Sequence, residues 1–311
     1  MKKLFLILIL IHGIAYTAGA KENSIELGAL YFQQSNHLST WDSYKRLDRL
    51  SVSPGTHSRG LPFALLDLKF RENDQNAFYL KTPKDQLSHY SIAVGMEHVI
   101  KGKKGILDLS LFYAPFLETW KNPYETVIPR EKTNLYTVGA KLGLNKILDT
   151  ALDLNMRAVS IDVREDHIGD SYADLKRDGW MYALSAGYTL SPQPYLHIKP
   201  EIGVEWGNMN GKSNAYHEYQ ASLGLMYRIR KCMLMPTLSY SQNRYQALHP
   251  IFSTLRKEKG FRAILVTVWA KPFDLEDYFV TALLAYGQAD ANISFFDHEM
   301  KMAGIAIGYN F

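Results

Sequence analysis

Cysteine is almost missing from this chain. Its 311 residues include one, Cys232, so no disulfide can form within the chain and other forces must hold the fold. Long apolar runs are also missing. After the first twenty residues nothing approaches the ~18–20 residues that a membrane-spanning helix needs. No sign of charge dominates, since 35 basic and 31 acidic residues leave a formal net charge of +4; that balance gives no reason to expect nucleic acid. Gly-rich phosphate loops, His pairs at helical spacing and calcium loops are missing too. The 10 His are scattered through polar stretches, where a lone imidazole is ordinarily just solvated. These absences exclude a disulfide scaffold and a helical membrane protein, and no metal or other cofactor is expected. Neither a repeat nor a linker divides the chain.

The N-terminus has the layout of a secretory signal. Met1-Lys2-Lys3 is a short positive region, Leu4 to Ile11 is compactly apolar, and Ala18-Gly19-Ala20 offers small residues for cleavage. No Cys follows, so this is not a lipoprotein signal. Residues 1–20 are expected to be removed after Sec-type export, leaving 21–311 as one domain. Tyr and Gly are frequent, at 20 and 21 residues, as suits a barrel in which only alternate side chains meet lipid.

The other end of the chain is more telling. In Met302 to Phe311, the residues Phe311, Tyr309, Ile307, Ile305 and Ala303 fall on one face of an extended strand, with Asn310, Gly308, Ala306 and Gly304 on the other. Ending on an aromatic residue, with aromatic and aliphatic residues at alternate positions before it, resembles the assembly signal of bacterial outer-membrane barrels. Tyr309 and Phe311 are therefore the candidate contacts for the barrel-assembly machinery.

Alternating segments of about ten residues recur along the chain, separated by alternating long and short polar connections. Ser24 to Gln34, Leu61 to Phe70, Ala77 to Thr82, His89 to Val99, Ile106 to Ala114, Asn134 to Leu144 and Thr150 to Val163 come first. Trp180 to Leu190, Tyr195 to Trp206, Tyr216 to Arg228, Met233 to Gln242, Phe261 to Ala270, Tyr278 to Tyr286 and Lys301 to Phe311 follow. Long loops are expected at 35–59, 116–132, 164–178 and 243–259, and Ser191-Pro-Gln-Pro194 as a turn. In the seventh segment Leu152, Leu154 and Met156 give way to Val159, Ile161 and Val163, a change of phase that suggests a bulge. Pro62, Pro200 and Pro236 fall inside strands, where proline marks ends or bulges. The expected fold is all-β: an antiparallel up-and-down transmembrane barrel of about 14 strands, or 12 if the short Ala77 hairpin is misread, with long outer loops and short periplasmic turns.

Three stretches and the C-terminus carry a more specific likeness. Glu118-Thr-Trp-Lys-Asn-Pro-Tyr-Glu125, His249 to Phe261, Leu284 to Asp297 and the final Gly-Tyr-Asn-Phe resemble an uncharacterised family of Gram-negative outer-membrane proteins, catalogued as domain of unknown function twenty-eight sixty. The resemblance covers essentially the whole mature chain. It implies a barrel and the outer membrane, and it implies no activity.

Catalytic patterns are weak. His89 and Ser91 share a strand face, as in outer-membrane phospholipases, but Ile92 and Ala93 follow where that family has Asn-Gly, and parity turns the pair inward. Asp166-His167 and Asp297-His298 bring together the residue types that activate water in barrel proteases, yet adjacent residues of a strand point to opposite sides. Aromatics at strand ends, Tyr31, Tyr90, Tyr113, Trp180, Trp206, Tyr216, Tyr278 and Tyr309, suit interfacial girdles. Parity leaves Phe112, Tyr195 and Phe279 inward, too few for a sugar-stacking track.

Parity also gives a candidate lumen. Asp67, Glu97, Asp108, Asp153, Glu201, Glu205 and Glu218 face inward with Lys69, Lys81, Lys141, Arg157, Lys199, Arg228 and Arg262. Acids and bases balance, which opposes a strong field of one sign. A channel for small hydrophilic solutes with weak ion selectivity is the first expectation. A structural or surface-interaction barrel with a closed lumen is the second, and a barrel enzyme the third. Lys45, Arg46, Arg49 and Arg59 in the first long loop, and Arg244, Arg256, Lys257 and Lys259 in another, are candidate lipopolysaccharide contacts. Outer-membrane lipid is the other expected partner.

Overall fold

The computed structural model describes residues 23–83, 91–100, 102 and 104–311. The leader, His89 and Tyr90 lie outside the described residues. The strands are β1 Ser24–Ser35, β2 Thr56–Arg71, β3 Asn76–Lys81, β4 Ile92–Val99, β5 Ile106–Trp120, β6 Lys132–Asn145, β7 Leu152–Val163 and β8 Gly179–Tyr188. Then come β9 Leu190–Gln193, β10 Leu196–Met209, β11 Tyr216–Ile229, β12 Cys232–His249, β13 Thr254–Ala270, β14 Tyr278–Ala291 and β15 His298–Asn310. Every pairing is antiparallel between chain neighbours, and β15 returns to β1, closing the sheet on itself. β8 and β9 both pair with β10 and form one interrupted strand, so the barrel has 14 staves. Closure pairs the edges that an open sheet would expose.

Alternation decides which side chains meet what. Leu27, Ile202, Tyr219, Leu284 and Ile307 are 54%, 67%, 58%, 57% and 61% exposed, and they belong to a belt of outward apolar residues that runs round the barrel. A belt of this extent is incompatible with water and fits lipid. On the opposite face Glu26, Leu30 and Phe32 are buried. Ser24 pairs with Asn310, so β1 starts and β15 ends at one rim with the short turns, and the longer connections gather at the other.

Several boundaries differ from the sequence reading. Residues 243–259 are mostly strand, because β12 and β13 pair out to His249 and Thr254. β2 begins at Thr56, so Arg59 is a strand residue. Ser191 to Gln193 belong to β9. β7 has no bulge: its register to β6 and β8 is unbroken, and Val159 and Ile161 face inward. They change from polar to apolar because they cover Phe112, Ala93 and Met181 inside the barrel. The three prolines sit where a ladder is interrupted. Pro200 lies at the junction of β8 and β9, and Pro236 falls where the β11–β12 pairing is interrupted without a change of register. Pro62 lies in a part of β2 where β3, paired only to 67–71, supplies no ladder partner among the described residues.

Candidate functional site

Direct cross-strand partners project from the same side of a sheet, so the register traces one inner face round the ring. Asp67 is opposite Lys81 and Lys69 opposite Tyr79; Glu97 is opposite Asp108. Lys141 stands between Ser110 and Arg157. Asp153 and Glu201 flank Gly187. Glu205 is opposite Glu218 and Lys199 opposite Gly224; Arg228 is opposite Met233 and Arg262 opposite Ser239. All fourteen charged residues proposed for the lumen share this face.

The ion pairs run along the wall. Arg157 reaches Glu205 at 2.8 Å over Ala183, which is opposite both in the ladder. Lys199 meets Asp153 at 2.6 Å and Glu201 at 4.0 Å. Gly187 makes that approach possible, since a Cβ there would stand 2.8 Å from the Lys199 Cε. Lys69 and Glu97 pair at 2.6 Å across β3, and Tyr79 donates to Asp108 at 2.5 Å. Lys81 sits 3.9 Å over the Tyr79 ring. A small residue on the middle strand thus lets charges two strands apart meet close to the sheet, which satisfies them without bridging the bore.

Aromatic rings follow the same rule. Phe63 is directly opposite Gly28, Tyr79 opposite Gly95, Phe112 opposite Gly139, Tyr216 opposite Gly207 and Phe279 opposite Gly308. A Cβ at Gly139 would lie 2.2 Å from Phe112 and one at Gly308 2.0 Å from Phe279, so each ring lies flat over a bare backbone. Tyr216 is not a girdle residue: it faces inward and donates to Glu205 at 2.6 Å. Tyr195 is not an inward residue: it is exposed at the β9–β10 turn, against Tyr227 at 5.8 Å.

The lining is two-sided. Leu30, Phe32, Leu61, Phe63, Leu283, Ile264, Val266, Met300 and Met302 form an apolar cluster on the wall made by β13, β14, β15, β1 and β2. The ion pairs lie from β2 round to β10, and β11 and β12 carry the exposed Gln220 and half-buried Ser222, Ser239 and Ser241.

Outer connections knit into a cap. Leu47, Ile293, Phe295 and Phe296 form its apolar centre, with Leu50, Tyr124 and Phe252 packed on it. Arg130, 1% exposed, donates to the carbonyls of His37 at 2.8 Å, Pro123 at 2.9 Å and Tyr44, and stacks 4.5 Å over buried Trp120. The Trp120 indole in turn donates to the Ser39 carbonyl at 3.0 Å. Arg177 joins Asp166 at 2.5 Å to the carbonyls of Trp120 and Lys121. Lys121 reaches Glu165 at 2.7 Å, and that bond holds the exposed Glu165 carboxyl below its ordinary range. His37 donates its Nε2–H to the Val52 carbonyl at 2.7 Å and stacks on Phe295 at 5.1 Å. Burial pushes the Tyr124 hydroxyl up to about 12 and Arg130 down to about 10. Burial also lowers His37.

The family described as Protein of unknown function (DUF2860) matches residues 22–310. The chain belongs to that family. No curated protein matches it. Similar solved structures include the deltaS2 mutant of the TodX monoaromatic hydrocarbon channel, at 12% identity and a TM-score of 0.49 over 95% of this chain and 92% of that one. The outer membrane channel DcaP of Acinetobacter baumannii aligns at 10% identity and a TM-score of 0.41, over 94% and 99%. OmpT, an outer membrane protein of Vibrio cholerae, aligns at 11% and 0.40, over 96% and 100%. No residue role passes from these proteins to the DUF2860 chain.

The proposed basic contacts separate into groups. Lys45, Arg46 and Arg49 are exposed on the cap loop. Arg59 faces inward, opposite Phe32, and lies 4.2 Å over Trp41. Arg256 also faces inward; it bonds Glu258 at 2.6 Å through Nε and stacks 3.5 Å over Phe296 and 4.3 Å over Tyr245. Neither is an outer-surface contact, because strand parity continues through the expected loop. Arg244, Lys257 and Lys259 are exposed on the outward face. Of the catalytic candidates, Asp166 is held by Arg177, and Asp297 accepts the Ala291 N–H at 2.8 Å. At the terminus, Tyr309 stacks on Phe311 at 6.2 Å and meets the tilted Tyr278 ring at 5.1 Å.

Proposed function

We propose that this DUF2860 barrel lies in the bacterial outer membrane, after Sec-type export, and works as a gated facilitator for small hydrophilic solutes with weak ion selectivity. The observation that carries the reading is the arrangement of inner charges. Lys69 with Glu97, Arg157 with Glu205, and Lys199 with Asp153 pair along the wall, and the aromatic rings that would otherwise reach into the bore lie over glycines. A barrel of about fourteen strands is also wider than the eight-stranded type that side chains fill. Gln220 and the serines of β11 and β12 supply a hydrated path. Inner acids and bases balance, so neither cations nor anions gain a large advantage. The role is passage, not catalysis.

The cap favours a second reading. Its dense centre packs the outer connections against one another, as a structural barrel with a sealed lumen requires. In the facilitator reading the same contacts are the gate. Folded protein in planar bilayers should give discrete conductance steps and a reversal potential near zero in a salt gradient. Silence from the native barrel and from cap-loosened variants alike overturns the facilitator reading in favour of the sealed barrel.

A further inference from the structure

Register sorts the outward face of the β12–β13 hairpin into rungs. One rung holds Tyr240 opposite Phe261, at 45% exposure each, with Tyr286 beside Phe261 at 6.5 Å. The next outward-facing rung toward the outer rim holds Gln242 opposite Lys259, and the one beyond holds Arg244 opposite Lys257. His217 is the partner of Arg244 on the other side. Like charges directly opposite in an antiparallel pair repel, yet none of the three cations makes an ion pair among the described residues. The nearest carboxylate in the ladder, Asp290 opposite Lys259, accepts from Gln288 at 2.8 Å instead.

Height identifies what meets this patch. Aromatic residues mark the membrane interface. Two residues along a strand tilted ~40° rise about 5 Å, and four about 10 Å. The headgroup layer occupies about 5–8 Å on each side of the hydrocarbon. Lys259 therefore stands in that layer, and Arg244 and Lys257 a few ångströms beyond it, within side-chain reach of it. All three point sideways, away from the barrel, so the anion they meet is carried by a lipid of the same leaflet.

We infer that Arg244, Lys257 and Lys259 form a binding site for the phosphate groups of lipopolysaccharide on the outer flank of the β12–β13 hairpin. Arg244 offers a bidentate fork and the two lysines offer point charges. A phosphate between Arg244 and Lys257 replaces their repulsion with two attractions. The inference rests on the outer-membrane placement and is independent of conduction.

The test uses the full-length barrel purified from outer membranes, with lipopolysaccharide and its dephosphorylated form as probes. The triple variant Arg244→Gln, Lys257→Gln, Lys259→Gln should retain several-fold less lipopolysaccharide per barrel and rebind less of it. Dephosphorylated lipopolysaccharide should bind native and variant barrels equally. A control triple at the cap, Lys45→Gln, Arg46→Gln, Arg49→Gln, should retain native amounts. Heat-modifiable migration monitors folding; if the hairpin triple folds poorly, Arg244→Lys should retain more lipid than Arg244→Gln. Equal retention by the hairpin triple, equal loss in the cap triple, or binding indifferent to phosphate overturns the site. Planar-bilayer conductance separates this failure from failure of the facilitator reading.

Discussion

Replacing Arg130 with Ala should open the outer cap. The guanidinium donates to three loop carbonyls, those of His37, Pro123 and Tyr44, and is buried against Trp120. Hydrogen bonds to a charged group contribute about 1.5–3 kcal/mol each, and a buried carbonyl left unpaired costs about 1–3 kcal/mol. Against that stands the cost of burying the cation, visible in the fall of its pKa to about 10 and in an Nε without a partner. We set the net loss at about 3 kcal/mol, mostly local, because the staves below do not depend on these bonds. At ~1.4 kcal/mol per factor of ten, the ratio of open to closed cap should rise roughly a hundred-fold. Single-channel recording reads this as a rise in open probability at unchanged step size. Arg130→Lys should fall between, since one ammonium cannot serve three carbonyls in the geometry of the planar fork. A folded Arg130→Ala barrel with native open probability refutes the assignment of the cap as a gate.

Acidification should act on the same contacts through His37. Burial, then the charge of Arg130, hold its pKa below the ordinary 6.5, with the bond to Val52 acting the other way. The cap stability it contributes is fully present above pH 6.5 and is lost as the pH falls through the lowered value. Open probability should therefore rise as the pH falls below 6.5, and His37→Gln should flatten that rise; an unaltered pH profile in the variant excludes His37 as the sensor. At the terminus, the Phe311 N–H bonds the Asn23 carbonyl at 3.0 Å, joining the last stave to the first. Deleting Phe311, or making Phe311→Asp, should lower the yield of heat-modifiable barrel in the outer membrane, and an undiminished yield counts against its role in assembly.

The staves were legible in the sequence because lipid enforces the alternation. Leu107, Leu109 and Leu111 stand out against Asp108 and Ser110, since an outward charge in hydrocarbon is expensive at every position. The alternation failed where lipid stops acting. Beyond the aromatic row of Tyr240 and Phe261, the outward positions turn to Gln242, Arg244, Lys257 and Lys259, so a continuing strand looks like a polar loop. Inside, Val159 and Ile161 look like a shift of phase because Phe112 requires an apolar cover.

The site was harder to read than the fold because its parts depend on register and not on pattern. Parity alone can turn Arg157 and Glu205 inward, but only the register sets both against Ala183 and lets them meet. Gly139 and Gly207 are ordinary strand glycines until their partners prove to be Phe112 and Tyr216. The cap has still less signature. Arg130 is one cation among many in the outer loops, and its three acceptors come from residues 37, 44 and 123. Burial, not residue type, separates Arg130 and Arg256 from Lys45 and Arg49. The first pair holds the outer end together from within, and the second lies exposed on its surface. A sequence search for lipid-binding cations therefore mixes both kinds. The outward parity of Arg244, Lys257 and Lys259, together with the lack of an ion pair to any of them among the described residues, is what separates a docking patch from a structural ion pair.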